Sequence, residues 1–374
     1  MGLEDEIREI EEEIAETPYN KATEQHIGRL KAKLSKLKEE LAERESGSGG
    51  GGGYDVPKHG DATVALVGFP SVGKSTLLNA LTNAESETGR YEFTTLEVVP
   101  GMLEYKKADI QLLDVPGLIQ GAAGGRGRGQ EVLSVLRSAD LLVFLVDVFE
   151  PEQYEKLREE LYENGIRMDT SSPDVRVEER GKGGIEVRRV GDWYDEEEPR
   201  PSDAAVEETC NQHGIVNARV VIAEEVTLDE LNDAIVDNRV YVDTLVAVNK
   251  VDLADEATVE RARDKLSEYG VDSAVGVSAE EEMGLDSLKE SIFDSLDLIR
   301  IYLKPQGGEP DYEEPVVVPE NSTVGDVADK LHDDFEERFR YAKVWGESAK
   351  HDGQQVGKEH ELRDEDVVTM ILKK

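Results

Sequence analysis

Cysteine is almost missing: Cys210 is the only one in 374 residues. A lone thiol excludes an intrachain disulfide and any Cys-based zinc cluster. Long apolar runs are missing too. The most apolar stretch, Leu141 to Val146, is far too short to span a bilayer, so no membrane partner is expected. The segment from Met1 to Glu13 is charged and lacks the apolar core of a secretory signal. Met1-Gly2 opens like a myristoylation site, but Glu6 stands where Ser or Thr is required. A cytoplasmic location is the expectation. His351 and His360 are too far apart to form a helical metal pair and read as surface residues.

Positive charge is also scarce. Lys and Arg number 43 against 83 acidic residues, for a formal net charge of −40. Such a surface repels nucleic acid in dilute salt. An acidic, partly disordered chain is one reading. A folded protein from a salt-loaded cytoplasm is the other, since the Debye length falls to about 3 Å at 1 M salt. Apolar periodicity persists along most of the chain and favours the second. The low lysine content and abundant acids resemble a protein of a halophilic archaeon.

The length suits two or three domains. Residues 1–45 read as a helical hairpin. Ile7, Ile10 and Ile14 form one apolar stripe, and Ile27, Leu30, Leu34, Leu37 and Leu41 form another at 3-4-3-4 spacing, with Pro18-Tyr19-Asn20 between them. The first helix is acidic. The second, 21–44, carries Lys21, Arg29, Lys31, Lys33, Lys36, Lys38 and Arg44, which suits either charge pairing with its neighbour or contact with RNA. Residues 46–60 are a linker, and Ser46 to Gly53 is a flexible Gly/Ser tether.

From Thr63 onward strands and helices alternate: strand 63–67, a helix from Lys74, strand 110–114, helix 129–138, strands 141–147, 244–248 and 273–277, helix 285–296. This predicts an α/β domain over 61–297 with a doubly wound, mostly parallel sheet. Asp147 and Thr244 are separated by roughly 100 residues, against about 30 for a complete βαβ unit. The excess, about 165–227, reads as an inserted small α+β subdomain of short strands, and Asp192 to Glu198 within it as a solvated acidic loop. The last part, 298–374, has strand-like Ile299 to Lys304 and Val316 to Val318. A helix capped by Thr323 follows to about Glu336, then strand-like Tyr341 to Trp345 and Val367 to Leu372. That order is a β-grasp.

The chemistry sits in separate short segments. Gly68, Phe69, Pro70, Ser71, Val72, Gly73, Lys74 and Ser75 match G-x-x-x-x-G-K-[ST] between a strand and a helix, with Thr76 next. Glycines let successive N–H groups turn toward phosphates, and the helix N-terminus adds positive potential. Lys74 is positioned for the β- and γ-phosphates, and Ser75 offers its hydroxyl to Mg²⁺. The segment Asn249-Lys250-Val251-Asp252 closes a strand. A carboxylate at Asp252 can accept from guanine N1–H and the N2 amino group, a donor pair that adenine lacks. Asn249 would hold the loop and the N7 edge, and Lys250 would lie against the ring. GTP and GDP are therefore the expected ligands.

Asp114, Val115, Pro116 and Gly117 follow another strand. Asp114 can hold a Mg²⁺-bound water, and the Gly117 N–H can bond the γ-phosphate. In Tyr91 to Thr95, Phe93 precedes Thr94 and Thr95. Thr95, or alternatively Thr94, can complete the Mg²⁺ shell. Ser278 and Ala279 can offer backbone N–H groups to guanine O6.

GFPSVGKST, YEFTTLE, DVPGLIQGAAGGRGRG and NKVD together resemble the developmentally regulated GTP-binding (DRG) branch of the Obg-related GTPases. The likeness covers nearly the whole chain. The C-terminal segment resembles a TGS domain through Gly353 to Gly357 (GQQVG) and Leu362 to Val367 (LRDEDV). The resemblance implies GTP hydrolysis coupled to the ribosome or to a translation-associated protein.

Leu118 follows Gly117, where many small GTPases carry the glutamine that orients water. Slow intrinsic hydrolysis follows. K⁺ is one candidate accelerator, although Ser71 stands where relatives often have a K⁺-binding Asn. A partner's finger is a second, worth roughly 10³–10⁵ in rate. Arg126 or Arg128 acting in cis is a third, the plainer reading of both being contacts with a partner. Two rival functions remain: a scaffold with a structural nucleotide, and a P-loop kinase of a small metabolite, which NKVD and the Thr95 segment oppose.

Overall fold

The computed structural model describes residues 3–20, 22–46, 59–82, 98–115, 135–193, 200–236, 239–331 and 338–373. In chain order the first elements are α1 (Leu3–Glu16), α2 (Glu24–Ser46), β1 (Ala62–Val67), α3 (Lys74–Leu81), β2 (Val99–Tyr105), β3 (Ala108–Asp114) and β4 (Leu141–Asp147). Then come α4 (Gln153–Glu163), β5 (Ile166–Met168), β6 (Val175–Glu179), β7 (Ile185–Arg189), α5 (Asp203–Gln212), β8 (Ala218–Ile222), α6 (Leu228–Val236) and β9 (Val240–Asn249). The chain ends with α7 (Glu256–Glu268), β10 (Ala274–Gly276), α8 (Leu285–Ser295), β11 (Leu298–Leu303), β12 (Val316–Pro319), α9 (Val324–Leu331), β13 (Phe339–Trp345), β14 (Gln354–Val356) and β15 (Val367–Leu372). Contacts divide the chain into two compact units. One joins the N-terminal helices to 160–242; the other joins 59–115, 135–159 and 243–373.

In the latter unit the sheet order is β10-β9-β4-β1-β3-β2. All neighbours pair in parallel except β2, which runs antiparallel to β3. Strand β1 is buried at every position and β4 at all but its last, as expected of central parallel strands covered on both faces. The alternation anticipated β1, β3, β4, β9 and β10 but not the edge strand β2. It is joined to β3 through Lys106 and Lys107, both at positive φ (49° and 71°), the conformation of a tight hairpin turn. Helices α4 and α7 were also not anticipated. Leu77, Leu78 and Leu81 of α3 and Leu288, Ile292 and Phe293 of α8 pack with Val64, Leu66, Ile110 and Leu112 into one core. Of the helix expected at 129–138, residues 135–137 are helical and 129–134 lie outside the described residues.

The C-terminal part forms a five-stranded sheet, β12-β11-β15-β13-β14. Its core gathers Ile299, Ile301, Phe339, Val344 and Val368 with Val324 and Val327 of α9, the β-grasp arrangement. Thr323 caps α9 as the sequence suggested: its Oγ1 accepts from Asp326 N–H at 3.3 Å, and Asp326 Oδ2 accepts from Thr323 N–H at 2.7 Å. Strand β14 was not anticipated, and the helix end at 332–336 lies outside the described residues.

In the other unit α1 and α2 form the expected hairpin, closed by Ile7, Ile10, Leu30 and Leu37. Charge pairs line it, Lys33–Glu6 at 2.7 Å and Lys38–Glu11 at 2.8 Å, beside a hydrogen bond between His26 Nε2 and Glu13 Oε1 at 2.9 Å. Another face of α2 packs on the insertion. Ile27 joins the insertion core with Val206, Cys210, Val220 and Leu231, and a Cβ on Gly28 would lie 3.3 Å from Thr209 Oγ1. In this unit the three-stranded sheet β6-β8-β7 packs with α5 and α6. Arg167 and Arg239 share the buried Asp233, with Arg167 Nη2 at 2.9 Å and Arg239 Nε at 2.7 Å. Arg239 also donates to Ser35 Oγ of α2 at 3.0 Å.

Candidate functional site

The phosphate loop leaves β1 at Gly68 and enters α3 at Lys74. Gly73 takes φ +103°, and a Cβ there would lie 2.4 Å from Asn249 Nδ2; only glycine permits both the conformation and the contact. No side chain caps the N-terminus of α3, which leaves first-turn N–H groups available to an anion. Ser71 is also left-handed at φ 64° and exposed, as are Pro70, Ser75 and Thr76, while Phe69 is half-buried and Val72 buried.

Lys74 is 8% exposed. Its Nζ donates to the carbonyls of Gly68 at 2.8 Å and Phe69 at 3.1 Å. Burial lowers its pKa, and nearby Asp114 partly offsets that. Ser75 Oγ donates to Asp114 Oδ2 at 2.5 Å. Two oxygen donors expected at Mg²⁺ are thus brought together from α3 and the end of β3, a hard donor set of the kind Mg²⁺ selects.

The segment Asn249–Asp252 is tied to the phosphate loop. Asn249, 3% exposed, donates through Nδ2 to Val72 O at 2.8 Å and accepts Ala279 N–H at Oδ1 at 3.0 Å. One amide therefore links three segments. Lys250 adopts φ 65° and donates to Asp147 Oδ2 at 2.7 Å. Asp252 sits exposed in the 3₁₀ turn Val251–Leu253.

Ser278 and Ala279 lie at the other side of this loop. Both are buried beside this loop, but their amides are engaged. Ser278 N–H donates to Met283 O at 3.0 Å in an isolated bridge, and Ala279 N–H is held by Asn249. Phe93, Thr94, Thr95, Pro116, Gly117, Leu118, Arg126 and Arg128 lie outside the described residues; Val115 is buried.

The 50S ribosome-binding GTPase family matches residues 63–177, the C-terminal region of that domain matches 182–298, and the TGS domain matches 299–372. A GTP-binding protein of Halobacterium salinarum is 54% identical over all of both chains. One of Methanocaldococcus jannaschii is 53% identical over 100% of this chain and 94% of its own. The developmentally-regulated G-protein 3 of Arabidopsis thaliana is 44% identical over 98% of each. The chain belongs to the DRG family of Obg-related GTPases. As a member of that family it is a GTP-binding protein with a P-loop GTPase domain and a TGS domain. In this DRG-family site, sequence reasoning missed Asp147. The available signal was an acid ending the otherwise apolar run LLVFLV; only strand pairing, Asp147 opposite Asn249, places it beside Lys250. Among the described residues, no helix is long and apolar enough to cross a membrane.

Proposed function

We propose that this protein is a regulatory GTPase that hydrolyses GTP to GDP slowly by itself and reports its nucleotide state to the ribosome or a translation-associated protein. The Asn249 link between the phosphate loop and the base-reading loop carries this reading, because it couples grip on the phosphates to recognition of the base. Lys74 would exchange its two carbonyls for β- and γ-phosphate oxygens. Asp252 would accept from guanine, and Lys250, steadied by Asp147, would cover the ring. Mg²⁺ would be held by Ser75, by Asp114 through water and by Thr95, and supplies charge neutralisation at the phosphates. Gly117 would sense the γ-phosphate, and its loss would release the loops carrying Thr95 and Gly117.

The family description of a 50S ribosome-binding GTPase supports the translation link. The relative from Halobacterium salinarum and the charge of −40 support a salt-loaded cytoplasm as the working medium. The working parts are taken as hairpin 1–45, linker 46–60, GTPase domain 61–297 with its insertion, and TGS domain 298–374.

Calorimetry with GTP and ATP tests the pocket; equal affinities would sink it. Asp252→Asn should shift preference toward xanthine nucleotides. Ribosome co-sedimentation in multimolar KCl, with GDP or a non-hydrolysable GTP analogue, tests the switch. Pelleting should depend on the nucleotide, and pelleting indifferent to it contradicts the proposal. Turnover should rise in K⁺ over Na⁺ if K⁺ accelerates the reaction; equal rates leave a partner's group or Arg126 and Arg128. Leu118 favours one second reading, a scaffold with a structural nucleotide, which predicts no turnover even with K⁺ and ribosomes.

A further inference from the structure

The unit that joins the hairpin to 160–242 contains a cavity of about 150 Å³, lined by none of the residues assigned to GTP. It opens between the end of α4, the loop after β5, the start of α6 and β9. Six side chains give it its chemistry: Tyr162, Arg167, Asp229, Glu230, Asp233 and Tyr241. Arg167 and Asp233 are buried, at 8% and 4% exposure. Buried charge around a cavity marks a candidate binding site, and the groups still free to form bonds decide what it takes.

The cations are already committed. Arg167 gives Nε and Nη2 to Asp233 and Nη1 to Tyr162 O at 2.8 Å, and its guanidinium carbon lies 3.8 Å from the Tyr162 ring centroid. Arg239 Nε also donates to Asp233 Oδ1, at 2.7 Å. From α2, Lys31 bonds Asp229 Oδ2. Glu230 Oε2 accepts from Thr227 N–H at 2.7 Å, and Thr227 Oγ1 accepts from Glu230 N–H at 3.2 Å, a capping box at the start of α6. Two charged atoms are left over. Asp229 Oδ1 and Glu230 Oε1 accept no hydrogen bond among the described residues. One ring is left over as well. Tyr162 carries Arg167, whereas no cation lies over Tyr241 among the described residues. Burial, and then Asp229, hold the Tyr162 phenol above its ordinary pKa; burial, and then Asp233, do the same at Tyr241. Both rings therefore stay neutral.

We propose that this cavity binds the ammonium end of a small aliphatic amine, with Asp229 and Glu230 accepting from the ammonium and the Tyr241 ring lying against it. Free carboxylate oxygens beside an uncovered ring attract a cation, and an anion would find no uncommitted charged donor. Among the described residues no group of His, Cys, Asp and Glu is arranged to hold a metal ion, so an organic cation is the better match. Size narrows the choice. At about 30 Å³ per water in the liquid, the cavity equals roughly five waters. Drug-sized ligands take about 300–1,000 Å³; a nucleoside is too large, and a primary ammonium on a short alkyl stem fits. The exposed Thr170, Ser171 and Thr227 also line it. Hydroxyls there suit a hydrated small molecule better than the apolar centre of a protein interface. Because Lys31 bonds the same Asp229, the amine competes with a contact that ties α2 to α6. The proposal does not rest on the GTPase reading.

The test is calorimetry on the full chain in molar KCl, with putrescine, n-butylamine, n-butanol and an acetylated, amidated lysine as probes. Putrescine and n-butylamine should bind saturably, and n-butanol, which lacks the charge, should not. Glu230→Gln keeps the capping contact and should weaken putrescine about tenfold. Tyr241→Leu should weaken it about fivefold, and Tyr241→Phe, which keeps the ring, should restore it. Lys31→Ala frees Asp229 and should tighten binding, whereas Lys33→Ala, whose partner is Glu6, should change nothing. Slow alkylation of Cys210, buried in the same unit, checks folding in each variant. Putrescine giving no saturable heat, n-butanol binding equally well, or affinity indifferent to Glu230→Gln while Cys210 stays protected would each overturn the proposal. Binding of the capped lysine without putrescine would assign the cavity to a protein side chain and overturn the small-amine assignment.

Discussion

Lys74 and Arg167 are equally buried, at 8% exposure each, yet the protein surrounds them differently. Arg167 is fully met: Asp233 takes its fork with both oxygens, Tyr162 O accepts from Nη1 at 2.8 Å, and the Tyr162 ring lies 3.8 Å from its guanidinium carbon. Lys74 meets only two neutral carbonyls, and Asp114 acts on it without a direct bond. A buried cation given its own carboxylate is part of the framework. One held by neutral acceptors, at the end of a loop of turned amides, suits the phosphate grip proposed for Lys74.

The sharpest way to break this comparison is Lys74→Ala. GTP affinity should fall by at least a hundredfold while thermal stability holds or rises, since a desolvated charge is removed. A large loss of stability would put Lys74 in the same class as Arg167. The pH dependence has a definite sign. The free protein's Lys74 pKa lies below the ordinary lysine value because of burial, so in the fold Lys74 gives up its proton at a lower pH than a free lysine. A bound triphosphate favours the charged form, so binding takes up a proton in alkaline solution. GTP affinity should therefore weaken as pH rises through the lowered pKa, as calorimetry in two buffers of different ionisation heat would show.

Asp233→Ala is the converse. It takes the carboxylate from the buried Arg167 and from the half-buried Arg239 and should destabilise its unit by about 3–5 kcal/mol, with GTP affinity little changed. Cys210 offers the readout. It is fully buried in the same unit, and burial raises its thiol pKa to about 11, so alkylation should be slow in the native protein and much faster in the variant. Asp147→Asn should be milder. Loss of the charge beside Lys250 should weaken GTP and GDP about tenfold, the scale of one charge-assisted hydrogen bond, with guanine still preferred over adenine. The smallest effect belongs to the hairpin. Lys33→Ala with Lys38→Ala removes exposed pairs worth about 0–1 kcal/mol each, and a melting temperature lowered far beyond that scale would mean that α2 is held by charge rather than by Ile27, Leu30 and Leu37.

Legibility in the sequence followed the range of the interactions. The phosphate loop was readable because its requirements are local: glycine at 73 for φ +103°, and lysine and serine at the first turn of α3. The strands β1 and β4 were readable because unbroken apolar runs can only be buried on both faces. Strand β2 was not, because an edge strand mixes exposed and buried positions and Pro100-Gly101 reads as a turn. The partners of the Ser278 and Ala279 amides, Met283 O and Asn249 Oδ1, were not legible because they are set by how two loops close on each other. The basic stretch of α2 left two readings open, and only the fold shows the acids of α1 and α6 that stand against Lys31, Lys33 and Lys38.

The sequence by itself determined the class of ligand, since G-x-x-x-x-G-K-[ST] and NKVD encode their backbone geometry and hydrogen-bonding groups within a few residues. It also determined the strand–helix alternation and the β-grasp order. Only the tertiary structure decided that Asn249 joins the loop after β1 to Ala279, that Asp147 bonds Lys250, and that α2 belongs with the insertion. It also decided that Tyr162, Glu230 and Tyr241 line one cavity. Those facts depend on which strands pair and in which register, and such pairing is fixed by burial summed over the whole core rather than by any one segment.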